Sequence, residues 1–378
     1  MSSTIVRASG QDGPILWTAP KISLPLWGKL WPILSKSPPK AAEASARERP
    51  FWTRSGQSGQ SWHRAGLQQR SARIVRPAAE WKTGVAMSDT MRLQSFDLAT
   101  QDIAEADLDG LHALSISVGW PHRRSDWSLF RSLGRGLAAF DDIGRVFASA
   151  MWFDHGETVA TIGMVITSPR VQTHGGGRFM MEHILRECGA RSLMLNSTRA
   201  AHALYLSLGF EVQAVVCQMQ GIVREGSGAP KLDASAVEVL APDDLPRIVA
   251  LDKAAFGADR SVVLTRLAPL SRIVGIRRNG HLEAYAMRRP FGRGTVIGPV
   301  VAHSEDDAIL LSASLLGDLG GRFARLDTRQ PEGRFRTFLQ SSGLELYDTV
   351  KTMTRGAPLA AVRPGQPGIY ALAAQPLG

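Results

Sequence analysis

The 378-residue chain has only two cysteines, Cys188 and Cys217. That is too few for a disulfide framework, and neither stands in a metal-ligand spacing, so no metal is expected. Both fall in segments read as a helix and a strand, where a free cysteine behaves as a small apolar residue. A reducing, cytoplasmic setting follows. No apolar run approaches the ~20 residues of a membrane-spanning helix, and no compact charged-then-apolar leader marks a signal peptide, so no membrane partner is expected. Two common nucleotide loops are missing as well. The dinucleotide fingerprint needs three glycines in its own spacing and a later acid, and the Walker loop needs Gly-Lys-Ser/Thr; the chain offers neither in its glycine-rich segment.

Acidic residues are scarce in one region only. The formal net charge is +10. Residues 1–86 hold 13 Lys/Arg against 4 Asp/Glu, leaving 31 and 30 for the rest, so the excess belongs to the first 86 residues and no nucleic-acid partner is expected outside them. The same stretch carries six of the nine tryptophans and no sustained period. It is expected to be a disordered basic leader, with Met87 as the native start; a basic arm touching nucleic acid or membrane is the competing view.

What is present is a paired signal. Thr158–Thr167 is β-branched and apolar, as a strand requires, and Ser168-Pro169 ends it. Gln172-Thr173-His174-Gly175-Gly176-Gly177-Arg178 follows, and then Phe179, Met180, Ile184, Leu185 and Cys188 recur at helical spacing. Glycines between a strand and a helix allow a ligand close to the backbone, and the free N–H groups of the helix start suit an anion. A short strand, Ser192–Leu195, then leads through Asn196-Ser197-Thr198, able to cap a helix, into Arg199–Leu208 and Gly209-Phe210, so that Ala203-Leu204-Tyr205 falls about thirty residues after Gln172.

Gln172-x-x-Gly175-x-Gly177 and Ala203-Leu204-Tyr205-x-x-x-Gly209-Phe210, in this order and spacing, resemble the GCN5-related N-acetyltransferase (GNAT) superfamily. The resemblance implies acetyl-CoA as co-substrate. It implies a pyrophosphate site at residues 172–178, with Asn196 counted among the cofactor-binding residues. It implies a main-chain donor for the thioester carbonyl near Met164, Val165 and Ile166, and Tyr205 as the partner of the leaving thiolate. The chain departs from the family's usual basic residue inside the loop, where Thr173-His174 stands, and from the usual Ile, replaced by Gly176.

The base and the acceptor site are read from the residues nearby. Glu157, in the turn Asp154-His155-Gly156-Glu157 before the central strand, is the first candidate for the base, against a plain solvated turn. Val118–Trp127 lies where family members place a loop over the acceptor; Trp120, His122, Asp126 and Trp127 could line a pocket for a cationic amine, against ordinary aromatic packing.

After a Gly/Ser/Pro linker at 222–232 the pattern repeats. Val237–Leu240, Arg272–Arg277, Leu282–Arg288, Thr295–Ala302 and Phe323–Leu326 read as strands, with turns at Asn279-Gly280 and Gly292–Gly294. The chemistry does not repeat: His303-Ser-Glu-Asp-Asp307 replaces the glycine loop and Leu339 stands in the place of Tyr205. Asp252, Asp259, Arg260 and Asp327 are candidate acceptor contacts. The expected fold is α/β (α+β): two tandem GNAT-type domains, 88–221 catalytic and 233–378 degenerate, each a mixed, mostly antiparallel sheet flanked by helices. The expected reaction moves an acetyl group from acetyl-CoA to a primary amine, on a small molecule or peptide, by direct attack in a ternary complex. The alternative is a non-catalytic acyl-CoA-binding or regulatory protein. The oligomeric state is not readable.

Overall fold

The computed structural model describes residues 90–93, 96–170, 172, 175–226, 236–358 and 365–378, all within one compact unit, Glu80–Gly378. The basic leader 1–86, Met87, Thr173, His174 and part of the 222–232 linker lie outside the described residues.

The first half runs β1 (Thr90–Leu93), β2 (Phe96–Asp102), α1 (Leu108–Ser117), α2 (Arg124–Leu133), β3 (Arg135–Phe140), β4 (Val146–His155), β5 (Val159–Thr167), α3 (Gly176–Cys188), β6 (Ser192–Ser197), α4 (His202–Ser207) and β7 (Glu211–Ile222). The second runs β8 (Val237–Val239), α5 (Leu245–Phe256), α6 (Ser261–Leu267), β9 (Arg272–Arg278), β10 (His281–Phe291), β11 (Gly294–Ala302), α7 (Glu305–Leu316), β12 (Phe323–Thr328), α8 (Arg334–Ser341), β13 (Glu345–Arg355) and β14 (Gly368–Ala371). Local chemistry explains the elements. In α3, Met180, Met181, Ile184 and Cys188 bury one face. Helix α7 starts at Ser304, whose Oγ accepts from the Asp307 N–H at 3.1 Å, and three acids occupy its first turn, where the helix dipole favours them.

The expected mixed α/β architecture of two GNAT-type units is present, and their sheets are joined. The strand order is β1-β2-β3-β4-β5-β6-β13-β7-β12-β11-β10-β9-β8, with β14 beside β11. The two halves therefore exchange strands. β13 of the second half lies antiparallel between β6 and β7, and β7 of the first half lies between β13 and β12. The helices on one side complete a common core: Trp127 and Phe130 of α2, Ile248 of α5, Val263 and Leu264 of α6, and Ala373, Ala374 and Leu377 belong to one buried cluster.

Each half contains one parallel strand pair that splays. β5 and β6 pair only from Val159–Ser192 to Ile162–Leu195, and β11 and β12 only at Thr295–Ala324 and Val296–Arg325. Each splay begins beside a bulge at an equivalent place, Met164-Val165 in β5 and Gly298-Pro299 in β11. The second splay is filled: β14 pairs with Val300–Ala302, and the Leu372 N–H donates to the Asp327 carbonyl at 2.9 Å. The chain then passes on to the first splay. A Cβ on Gly298 would meet the Leu372 carbonyl oxygen at 1.9 Å, and one on Gly163 would meet Pro376 at 2.4 Å, so both approaches need glycine.

Candidate functional site

The bulge in β5 is the most unusual backbone of the first half. Met164 takes φ 52, a region non-glycine residues rarely enter, while its side chain stays buried. Ser149 of β4, itself buried, holds the bulge by donating its Oγ–H to the Met164 carbonyl at 2.8 Å. Backbone strain of this kind persists where the surroundings over-determine it, often at functional sites. Ile166 is buried and Val165 packs partly buried on the core beneath α3.

Beyond the same end of β5 lies the glycine loop. Gly175 is left-handed at φ 90 and opens α3, whose first bond of this turn is from the Phe179 N–H to the Gly175 carbonyl at 3.0 Å. The N–H groups of Gly176, Gly177 and Arg178 precede it and have no intrahelical acceptor. A Cβ on Gly177 would crowd Leu204 at 3.2 Å, which fixes α3 close against α4. Arg178 donates to Ser207 Oγ of α4 at 2.6 Å, and Gln172 donates its amide to the Thr167 carbonyl at 2.9 Å. The described residues of this loop fit an anion at the helix start.

Between the bulge and the second half lies a cavity of about 310 Å³. Ile162, Gly163, Met164, Asn196, Gln375 and Pro376 form one end. The loop 118–122 covers it, Gln218, Gln220, Tyr347 and Asp348 come from the exchanged strands β7 and β13, and Arg325 comes from β12 beside them. Asn196 does not cap a helix. Its Nδ2 donates to the Gln375 carbonyl at 2.7 Å, and its Oδ1 accepts from Thr352 Oγ1 at 2.7 Å. Residues 372–378 are pinned from both halves: Arg289 donates to the Ala373 carbonyl at 2.6 Å, and Arg260 to that of Gly378 at 2.5 Å.

The other expected site residues divide. Trp120 and His122 reach the cavity. Trp127 does not; it is a core residue, with Nε1 donating to Ser115 Oγ at 2.9 Å, because it and Phe130 share the inner face of α2. Asp126 is structural: its Oδ2 accepts from the N–H groups of Arg123 at 2.7 Å and Gly292 at 3.0 Å, joining α2 to the turn between β10 and β11. Glu157 is exposed in the turn before β5, at the opposite end of that strand from Met164. The strand rises about 3.3 Å per residue, so about 20 Å separates the two. Tyr205 is buried against Phe210 and is absent from the cavity wall; burial holds its phenol well above the usual range. In the second half, Asp252 pairs with Arg260, Asp259 caps Ser261, and Asp327 is held by Arg325, so among these four candidates none lines the cavity.

Two buried histidines stay neutral, His122 on the cavity wall and His155 at the end of β4, opposite Val159 at the start of β5. Burial first, then the charges of Arg325 and His112, bring His122 down to about 3. Burial first, then Arg260, brings His155 to about 3; its Nε2 shares a hydrogen bond with Thr161 Oγ1 at 2.9 Å. Because both folded values lie below 6.5, the unfolded chain takes up protons there that the folded chain refuses. Stability is expected to fall as pH drops from about 6.5 to about 3, by up to about 1.4 kcal/mol per pH unit per histidine. Urea midpoints across this range should show the slope, and His155→Asn should flatten it. Cys188 is inert, its thiol pushed up to about 12 by burial.

The cavity residues Gln218, Gln220, Arg293, Arg325, Tyr347, Asp348, Gln375 and Pro376 were not legible as a site. The one signal was the alternation Gln218-x-Gln220 in an apolar strand, which sets both on one face.

Residues 107–210 match the family model described as acetyltransferase (GNAT) family, and residues 248–366 the model described as acetyltransferase (GNAT) domain. The chain is 28% identical over 214 residues to the uncharacterized N-acetyltransferase YitH of Bacillus subtilis (strain 168), covering 54% of this chain and 73% of that protein. In fold it is similar to a proposed acetyltransferase of Pyrococcus horikoshii, with TM-score 0.60 at 17% identity, covering 74% of this chain and 96% of the other. It is also similar to a tandem GNAT protein from the clavulanic acid biosynthesis pathway, with TM-score 0.50 at 13% identity, covering 70% and 99%. The two family matches support N-acetyltransferase activity in general terms and fall one on each side of the exchanged strand β7. The chain belongs to the GNAT acetyltransferase family as a tandem-domain member.

Proposed function

We propose that the first half transfers an acetyl group from acetyl-CoA to a primary amine by direct attack in a ternary complex. The observation that carries this reading is the strained bulge at Met164, placed between the glycine loop and a polar cavity. Acetyl-CoA supplies the activated acetyl group when bound. The N–H groups of Gly176, Gly177 and Arg178 would hold its pyrophosphate, as helix starts hold anions. The main chain around Met164–Ile166 would face the thioester as a preorganised donor. Tyr205, kept as a phenol by burial, would hold a proton at its Oη for the departing thiolate. Cys188 is buried and inert, which favours direct attack over an acyl-cysteine.

The second half supports this division of labour. Its splay is filled by β14, and Pro299 at the equivalent bulge has no N–H to donate. Titration calorimetry is expected to give one acetyl-CoA per chain. Tyr205→Phe is expected to lower kcat by about 10²-fold with little change in acetyl-CoA affinity, read by thiol release with an amine panel. Two sites per chain, or full activity in Tyr205→Phe, would contradict the assignment. The placement of Glu157 favours one second reading, a non-catalytic acyl-CoA-binding protein. Tight acetyl-CoA binding without acetylation of any amine would select it.

A further inference from the structure

The two ends of the cavity differ in charge. Beside Met164 the walls are Ile162, Gly163, Pro376 and the Asn196 carboxamide. At the other end Arg293 and Arg325 share a small recess with His122, Gln220 and Phe291. Arg325 stands on β12 opposite Gln220 of β7, three interstrand spacings from β6, or about 14 Å. It gives Nε and Nη2 to Asp327, at 3.0 and 2.8 Å, which leaves Nη1 uncommitted among the described residues. Arg293, exposed in the turn between β10 and β11, makes no side-chain hydrogen bond or ion pair with any described residue. Asp348 is the one carboxylate among the described lining residues.

A relay of carboxamides fixes the polar floor. Gln375 Nε2 donates to Gln218 Oε1 at 3.4 Å, and Gln218 Nε2 to Gln220 Oε1 at 2.9 Å. The relay leaves the Gln220 amino group as a further donor beside the two arginines. The Arg293 guanidinium fork, the remaining Nη1 of Arg325 and an amide donor in one recess are the chemistry of carboxylate and phosphate recognition. A polyamine would instead set cation against cation there.

We infer that the acceptor is an amine that also carries a carboxylate or phosphate, the anion docked at Arg293 and Arg325 and the amine directed to the Met164 end. This rests on the acetyl-transfer reading of the same site. The test compares linear ω-amino carboxylates of increasing length with their matching amino alcohols, and phosphoethanolamine with ethanolamine. Acetylation is followed by thiol release, and binding by calorimetry in the presence of CoA. At least one anionic amine is expected to exceed its neutral match about 10- to 100-fold in kcat/KM. Arg293→Gln, with an unchanged Tm, should erase that gap mainly through KM, and Arg293→Lys should restore part of it. The carboxylate and phosphate arms identify which anion fits. If amines are acetylated without an anion preference, or Arg293→Gln leaves the preference intact, the inference falls and acetyl transfer stands. If no amine is acetylated but anionic ones bind in an Arg293-dependent way, the inference stands and catalysis falls. Neither binding nor turnover overturns both.

Discussion

Residues 88–221 expressed alone are expected to yield no cooperatively folded protein. In the intact chain β7 pairs with β13 and β12, both from the second half, and β6 has β13 on its outer side. Cutting the chain leaves β7 without a ladder partner and β6 as a bare edge, a template for aggregation. Val216, Cys217 and Met219 of β7 are buried between the halves. At about 1.5–3 kcal/mol for each large apolar side chain, exposing them removes roughly 4–9 kcal/mol, comparable to the whole stability of an ordinary domain. Chemical denaturation and amide dispersion of the fragment provide the check. Co-expression with 233–378 should restore a soluble complex, because the exchanged strands meet again. A soluble, cooperatively unfolding 88–221 would contradict the exchange as a stability determinant.

The second large effect is expected at Arg260. Its side chain and that of Asp252 are both fully buried and meet through two bonds, at 2.9 and 2.6 Å, with Tyr285 Oη also donating to Asp252. Phe256 lies under the guanidinium at 4.1 Å. Removing one partner of such a pair leaves the other charge buried alone, which costs about 3–5 kcal/mol. Arg260→Met is therefore expected to destabilise by that amount in urea unfolding. It also withdraws the donor to Gly378, so residues 372–378 should loosen and acceptor affinity should weaken. The double variant Asp252→Leu/Arg260→Met should be less destabilised than Arg260→Met alone, since no orphaned carboxylate remains. Additive losses would show that the two groups do not act as a pair.

Much of the local structure was legible. The strand read at Thr158–Thr167 is β5, Val159–Thr167, and the turns at Asn279-Gly280 and Gly292–Gly294 join β9, β10 and β11 as expected. The Ser304 cap likewise follows from residue type and position. These features depend on neighbours in the chain. The strand exchange does not: alternation tells which face of β7 or β13 is buried, but not which strand lies beside it. The contribution of residues 372–378 was hidden for the same reason, since Ala373, Ala374 and Leu377 resemble any apolar stretch until Arg260, Arg289 and Asn196 are seen to hold them.

The acceptor side shows how a motif can mislead. Trp127 lies in an aromatic, polar segment that suggested a pocket, yet its i,i+3 relation to Phe130 places it on the core face of α2. Glu157 was chosen for nearness in sequence to the central strand. In a parallel strand pair the ligand end is the carboxyl end, and Glu157 precedes the amino end. The cavity residues come from eight separated segments, so no local pattern announces them.

The exchange also orders events during synthesis. At roughly 5–20 residues per second, the ribosome makes β12 and then β13 many seconds after β7, and until β12 emerges β7 has no ladder partner. The glycine loop and α3 can form early, from contacts close in sequence, while the floor beneath the acceptor must wait for distant strands. A nascent chain would thus possess the helix start suited to an anion before the second-half wall of the cavity. Completion of the second half supplies the remaining cavity wall, and a chaperone that shields the free edges of β6 and β7 during this interval would have most to protect.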